Sequence, residues 1–490
     1  MTGSADVMSQ LNGGDTAWVL TASALVLLMT PGLAFFYGGL VRHSNILNTM
    51  MMSLISMGVV GCIWTMFGFS LAFGKGNVLI GDFSHLGLEG LDGMPWKTST
   101  IPGLAFAIFQ MTFAIIAAAI ISGAIVERMR FGAYVMLISL WCIFVYVPLC
   151  HWVWGGGWIE HMGALDFAGG TVVHISSAVA AMVAALVLGK RAESEEERTP
   201  HNVPFVVLGA SLLWFGWAGF NGGSALAADY VAARALATTF IASSAAMVAR
   251  VFAERAFDGR FSTLGAINGF VAGLVTITPA AGFVTPMGSM AMGALGSLAC
   301  MWATRLLEKV HVLDDSLDAF GIHGVGGFAG AVLTGLFAVE GGLFYGGGVH
   351  LVWVQTVGAI AGGLFSAVVT LFIMLALKAT MRIRAHPEHE EFGLDHTAHG
   401  EVAYTGNANI AHTMSKADLI QVLEHSSSIR ALKSLEHTTA GKKSLERASS
   451  LASASTGMTQ LEGQAAAADG ASEGATVEQN EETVVGSEQV

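Results

Sequence analysis

Two histidines carry the strongest chemical signal in this chain. His174 and His323 each lie in a Gly-rich apolar stretch, and each follows an aspartate by eight residues, Asp166 in the first case and Asp315 in the second. Gly169 and Gly170 precede the first ring, while Gly321, Gly324, Gly326 and Gly327 surround the second. Inside a membrane such polar groups are costly and by default mark a pathway or a proton relay. A neutral imidazole has one donor and one acceptor nitrogen, so two that face each other can share a proton, hydrogen-bond a small neutral hydride, or pass a proton along. A bare alkali cation meets a prohibitive desolvation cost there. Potassium cannot escape that cost; ammonium can, by giving up a proton. The plainer reading of either ring is a hydrogen bond between packed helices, and the matched placement of the two weighs against it. Zinc would need three or four ligands; no further His, Cys or carboxylate falls at the same depth in these two spans, so no metal is expected.

The elements that must hold these rings follow from composition. Only 12% of the 490 residues are charged while 53% are hydrophobic, against roughly 25% charged in soluble domains, which excludes an ordinary cytosolic enzyme. Apolar runs of membrane-crossing length fall at 17–40, 48–73, 102–126, 131–152, 168–189, 203–220, 231–253, 262–278, 286–305, 319–339 and 350–378. The two Asp–His pairs open the fifth and tenth runs. Because five is odd, a five-span unit used twice enters the membrane from opposite sides, as in many transporters. Eight residues of helix rise about 12 Å, which carries each ring nearly halfway through the layer, one from each side. The expected fold is therefore an all-α polytopic membrane protein of eleven transmembrane helices. It comprises a 5+5 inverted repeat plus a long eleventh helix, packed closely through its many small residues.

Charge sets the orientation and the domain boundaries. With the N-terminus outside, the cytoplasmic connections hold fourteen Lys and Arg, and the external ones hold Lys75, Lys97 and Arg234; the excess places the N-terminus extracellular and the C-terminus cytoplasmic. Residues 1–16 lack the basic n-region of a signal peptide, so the first run should stay in the mature protein. Of the formal charge of −13, most resides beyond Ala385, where 6 Lys and Arg face 16 Asp and Glu. An acidic-substrate field in the membrane region is therefore not implied. The organisation expected is a transmembrane domain at 1–384, an ordered cytoplasmic regulatory segment at 385–407, and a disordered acidic tail at 408–490, too poor in apolar residues to bury a core. A marginal surface helix is expected at 416–436, where Leu419, Ile420, Leu423, Leu432 and Leu435 are partly in helical spacing. Cys62, Cys142, Cys150 and Cys300 have no paired spacing and read as packing residues. No G-x-x-x-x-G-K-[ST] run is present, which argues against ATP-driven pumping.

Several motifs resemble the ammonium transporter (Amt/Mep/Rh) family, specifically its Amt/Mep branch. They are Pro31-Gly-Leu-Ala-Phe-Phe-Tyr-Gly-Gly39, Ala124-Ile-Val-Glu-Arg128, His151-Trp-Val-Trp-Gly-Gly156, Asp166-Phe-Ala-Gly-Gly-Thr-Val-Val-His174, Trp214-Phe-Gly-Trp-Ala-Gly-Phe-Asn-Gly-Gly-Ser224 and Phe320-Gly-Ile-His-Gly-Val-Gly326. The likeness runs from about Asp15 to Tyr404. It implies a homotrimer in the plasma membrane with a conduction pore in each subunit, taking ammonium or ammonia, with methylammonium as analogue. It also implies no cofactor, no nucleic acid and no enzymatic activity. By motif, Trp154, Phe113 and Ser224 resemble the external recruitment site, where aromatic faces attract a cation and a hydroxyl accepts its N–H. Phe113 and Phe220 resemble a stacked phenyl gate, and His174 and His323 the twin histidines of the pore. Asp166 resembles a family carboxylate beside the recruitment site, expected to cap the fifth helix and add negative potential. Phe109 is a wall residue in this reading, with Trp217 and Tyr146 as lesser contributors.

The segment 386–404 resembles the family's cytoplasmic segment that contacts a neighbouring subunit. Thr397 matches a threonine that is a phosphorylation switch in the plant-like branch; a phosphate there adds charge at a contact. A cytosolic regulatory protein or kinase is the partner this implies, and Arg447-Ala-Ser449-Ser450 offers further basic-directed sites. Two alternatives stand beside the transporter: an ammonium sensor signalling through its tail, and a membrane hydrolase or metal centre, which the missing third ligand disfavours.

Overall fold

The computed structural model describes residues 10–191, 199–309 and 314–404, all helical with isolated bridges and no strand among them. The tail beyond residue 404, including the expected helix at 416–436 and Ser449 and Ser450, lies outside the described residues.

Eleven helices follow in order: α1 (Gly13–Leu40), α2 (Ile46–Phe73), α3 (Gly103–Ala124), α4 (Phe131–His161), α5 (Gly170–Leu188), α6 (Val203–Gly223), α7 (Tyr230–Asp258), α8 (Thr263–Ile277), α9 (Pro286–Lys309), α10 (Phe320–Phe337) and α11 (His350–Thr380). Ten are long and apolar enough to cross a membrane; α8 has 15 residues and does not reach that length. Its span is completed by turns, with Thr278, Ala280 and Phe283 N–H groups bonded to carbonyls three residues back. The eighth expected crossing is thus a short helix plus turns. α4 runs beyond the expected 152, since the chain bends at Gly155–Gly157 and resumes as a helical turn at Trp158–His161.

Packing inside the bundle rests on small residues. α1 lies along α6, and a Cβ on Gly209 would stand 2.2 Å from the Phe36 backbone nitrogen, so nothing larger than glycine fits at that crossing. The reverse holds outside, where Trp353, Leu364 and Phe372 of α11 are each more than 60% exposed, an apolar face that lipid can cover. α11 packs inward on α5 and α10. Cys142, Cys150 and Cys300 are buried as expected of packing residues, whereas Cys62 is exposed.

The two halves repeat a local device. α5 opens with a π-helical turn, Gly170–Ile175, and α10 with another, Phe320–Gly324; each contains the histidine of its half. Such turns are rare and concentrate at functional sites, because the extra residue re-aims a side chain. Both are held open at the start by the aspartate noted above. Asp166 accepts from the N–H groups of Gly169, Gly170, Thr171 and Val172 at 2.7–3.3 Å. Asp315 accepts from Phe320 and Gly321 at 2.8 and 3.1 Å.

After α11 the chain returns beneath the bundle as α12 (Pro387–Phe392) and a π-helical turn, Asp395–His399.

Candidate functional site

The paired π-helical turns bring His174 and His323 face to face. Their Nδ1 atoms are 3.2 Å apart and their ring planes lie within 23°, with centroids 5.2 Å apart. Nδ1 to Nδ1 contact requires one ring to donate and the other to accept, which is the shared-proton arrangement expected. His174 Nε2 is buried and has no hydrogen-bond partner, leaving a polar atom for a passing group to bond.

From that pair a column of rings runs toward the Trp154 end of the bundle. His174 stacks on Phe220 (5.9 Å between centroids, 25°), Phe220 on Phe113 (4.2 Å, 27°), and Phe113 meets Trp154 edge to face (6.2 Å, 86°). Offset and edge contacts of this kind are the favoured aromatic geometries. Phe113 and Phe220 are almost wholly buried, and at 4.2 Å the rings touch, so a cation passes between them only if a ring turns aside. Below lies a cavity of about 10 Å³ lined by Met29, Leu33, Ile116, Leu213 and Val271 with both imidazoles, on the order of the space one water needs.

Backbone carbonyls fix the mouth of the column. Trp154 donates from Nε1 to the Asp166 carbonyl at 2.8 Å, so the residue that caps α5 through its carboxylate also aims the indole through its backbone. Ser224 donates its hydroxyl to the Phe220 carbonyl at 2.8 Å, which leaves its oxygen lone pairs to accept. Trp154 reaches Phe113 and Ser224 reaches Phe220. Phe109 stands beside Phe113 at 4.9 Å. The structure gives Trp217 more weight than the motif did: its indole stacks on His174 (5.5 Å, 20°) and is held by Nε1 donation to Thr278 Oγ1 at 3.0 Å. Thr278 was missed, as it sits in the turn after α8, far from Trp217 in sequence; no periodic signal marks it. Tyr146 packs on Trp64 and Trp141, and not on the ring column.

Thr397 lies at the opposite end, with the chain's buried ion network. Glu127, in a left-handed conformation (φ 68°), accepts from Arg191 Nη1 at 2.6 Å, the Arg42 backbone N–H at 3.0 Å and Asn45 Nδ2 at 3.1 Å. Arg191 also forks onto Asp314 at 2.9 and 3.0 Å, and Arg128 donates to the carbonyls of Ala124 and Asp314, both at 2.8 Å. Burial works to raise the Asp314 and Glu127 carboxyls, but Arg191 outweighs it, holding Asp314 down at about 2 and Glu127 below its usual value. At the next residue the balance reverses: burial lifts Asp315 to about 6, and burial with the Asp315 charge lifts Asp318 to about 7. Onto this network the C-terminal segment is latched. Asp395 accepts from the Leu47 and Asn48 N–H groups at the start of α2, Arg384 grips Glu390 at 2.6 and 2.8 Å, and Thr397 donates Oγ1 to the Gly393 carbonyl at 2.9 Å. These contacts are within one chain. Arg128 and Arg191 are among the fourteen Lys and Arg of the expected cytoplasmic connections, and nothing in the sequence marks their buried partners.

Fold and site together define a multi-pass membrane protein of two repeated halves with a ring-lined constriction where the halves meet. The profile of the Ammonium Transporter Family matches residues 17–404. The chain belongs to that family. It is 48% identical to an ammonium transporter of Bacillus subtilis over 399 residues, 80% of this chain and 98% of that protein. It is 42% identical to the ammonium transporter Amt1 of Archaeoglobus fulgidus, covering 81% and 100%. Among solved structures it resembles Mep2 of Candida albicans (TM-score 0.74, 34% identity, 78% of this chain and 88% of that one) and a protein described as a sensor Amt protein (TM-score 0.74, 30% identity, 79% and 98%).

Proposed function

We propose that this chain is an ammonium transporter that conducts ammonia after its substrate gives up a proton, the proton being either left on the outer side or relayed separately. Trp154, Phe113 and Ser224 capture the cation: the indole and phenyl faces attract its charge and the serine oxygen accepts an N–H. Phe113 and Phe220 are the gate, and must part for each passage. Ammonia then moves along His174 and His323, where an N–H or a lone pair of the rings replaces the hydrogen bonds lost with water. Asp166 anchors the capture site by capping α5 and aiming Trp154. In this reading the protein is a homotrimer in the plasma membrane, N-terminus outside, with a pore in each subunit and the Thr397 segment on the cytoplasmic side.

The observation that carries the reading is the unbroken column of rings from Trp154 to His323, apolar at its walls and polar at the two imidazoles. An ion as strongly hydrated as potassium finds nothing there to replace its shell, while ammonium can leave its charge behind. The test is uptake of labelled methylammonium into proteoliposomes with simultaneous current recording, for the native chain and for His174→Ala and His323→Ala. The native chain takes up label, and removing either ring changes the ratio of charge to label moved. A ratio identical in all three would refute a role for the pair in deprotonation.

The likeness to a protein described as a sensor favours a second reading, in which occupancy is reported through the cytoplasmic tail. Truncation after Asn407 separates the two: a transporter keeps conducting, a sensor loses its output.

A further inference from the structure

Beside the capture site, and separate from the ring column, a second cavity of about 490 Å³ lies at the Trp154 end of the bundle. That volume is in the range of small-molecule pockets. Its walls come from the α4–α5 connection, the start of α7, the turns after α8, the α10–α11 connection and the start of α11. Two opposite charges from different elements line it, Arg234 and Glu340, and among the described residues neither forms an ion pair. The Arg234 guanidinium is half-buried over the Tyr230 ring at 5.5 Å and gives one long bond, 3.4 Å, to the Gly282 carbonyl. Most of its donors are therefore unused by the protein. The remaining walls combine the apolar side chains of Leu165, Phe283 and Leu351 with His350 and Tyr230.

We infer that this cavity binds a small zwitterion with an apolar side chain, of the α-amino acid class. A cation and an anion that share a cavity without meeting are bridged by a ligand carrying both charges: the carboxylate takes the guanidinium fork, the ammonium takes Glu340, and the side chain rests on Phe283, Leu165 and Leu351. The cavity touches the capture site from behind. Phe283 meets Phe167 edge to face (5.4 Å, 86°), and Leu165 is clamped on both backbone groups by Gln355 at 2.6 and 2.7 Å. Phe167 and Leu165 flank Asp166, so an occupant braces the turn that aims Trp154 and alters uptake without entering the pore.

Equilibrium dialysis of the purified full chain against labelled L-phenylalanine tests this, with phenylacetate and phenethylamine as competitors carrying one charge each. The expected result is saturable binding, weakened about tenfold or more in Arg234→Gln, a loss of at least one good interaction, and weakened in Glu340→Gln, with both competitors poorer than phenylalanine. Glu340 is exposed at the rim, so Glu340→Gln carries the test if Arg234→Gln fails to fold. Binding unchanged in both variants, phenylacetate competing as well as phenylalanine, or no saturable binding by about 10 mM, where affinity falls below about 3 kcal/mol, would each overturn the proposal.

Discussion

The two Asp–His units share a sequence spacing and a local backbone, yet they are finished differently. Asp166 spends both carboxylate oxygens on four backbone N–H groups, and its backbone carbonyl holds Trp154. Asp315 uses one oxygen for two N–H groups, and its other oxygen is buried without a partner. Around the first unit the neighbours are aromatic; around the second they are the Arg128, Arg191 and Asp314 network and the latched C-terminal segment. One repeated motif thus serves two ends. At the aromatic end the helix start is rigid and its surroundings can attract a cation, while at the charged end the carboxyl is under-satisfied and its surroundings are fixed by ion pairs.

Removing each aspartate breaks the comparison most sharply. Asp166→Ala strands four buried N–H groups and Asp315→Ala two; at about 1–3 kcal/mol for each unsatisfied group, the first should abolish folded protein and uptake. The second should still give folded protein, with a lowered thermal midpoint read by size-exclusion after heating. Equal losses would mean that the two caps are equivalent.

At the charged end, Thr397→Asp places a negative charge in the turn that carries Asp395, whose carboxylate caps α2. Uptake should be lost while surface expression and assembly persist; unchanged uptake refutes the latch as a control point. At the aromatic end, Trp154→Leu and Phe113→Ala should each raise the methylammonium KM about three- to tenfold, the scale of one lost cation–π contact. Ser224→Ala should do less, because it removes an acceptor and leaves the rings.

The smallest effect is the response to pH. Asp315 and Asp318 are raised above an unfolded value near 4, to about 6 and about 7. Their contribution to stability is therefore complete below about pH 4 and is lost as pH rises through about 6 to 7. Asp314, depressed to about 2, acts oppositely: its contribution is present above about pH 4 and is lost as pH falls toward 2. The thermal midpoint should rise between about pH 7.5 and 5.5, and Asp315→Asn should flatten part of that rise. A midpoint that falls over this window contradicts the assignment.

Much of this was legible from residues. The apolar runs locate the helices because hydrocarbon thickness dictates length, and the doubled Asp-x₇-His spacing gives both the inverted repeat and the meeting of the rings. α8 was over-read because a run of apolar residues does not distinguish helix from close turns. The Thr278 contact to Trp217 and the Glu127, Arg191 and Asp314 network were not legible, since they join residues far apart in the chain through hydrogen-bond geometry. The charge count behind the expected orientation includes Arg128 and Arg191 as loop charges; in the fold they are 0% and 8% exposed and paired, and charge counting has no means of telling these cases apart.

The central claim is that the imidazole pair passes a deprotonated guest and refuses a metal cation. Fluxes of potassium and labelled methylammonium, measured side by side in liposomes holding the purified chain, test it most directly. The account predicts methylammonium uptake with potassium flux no greater than in empty liposomes. Potassium moving as readily as methylammonium through the native chain would contradict it.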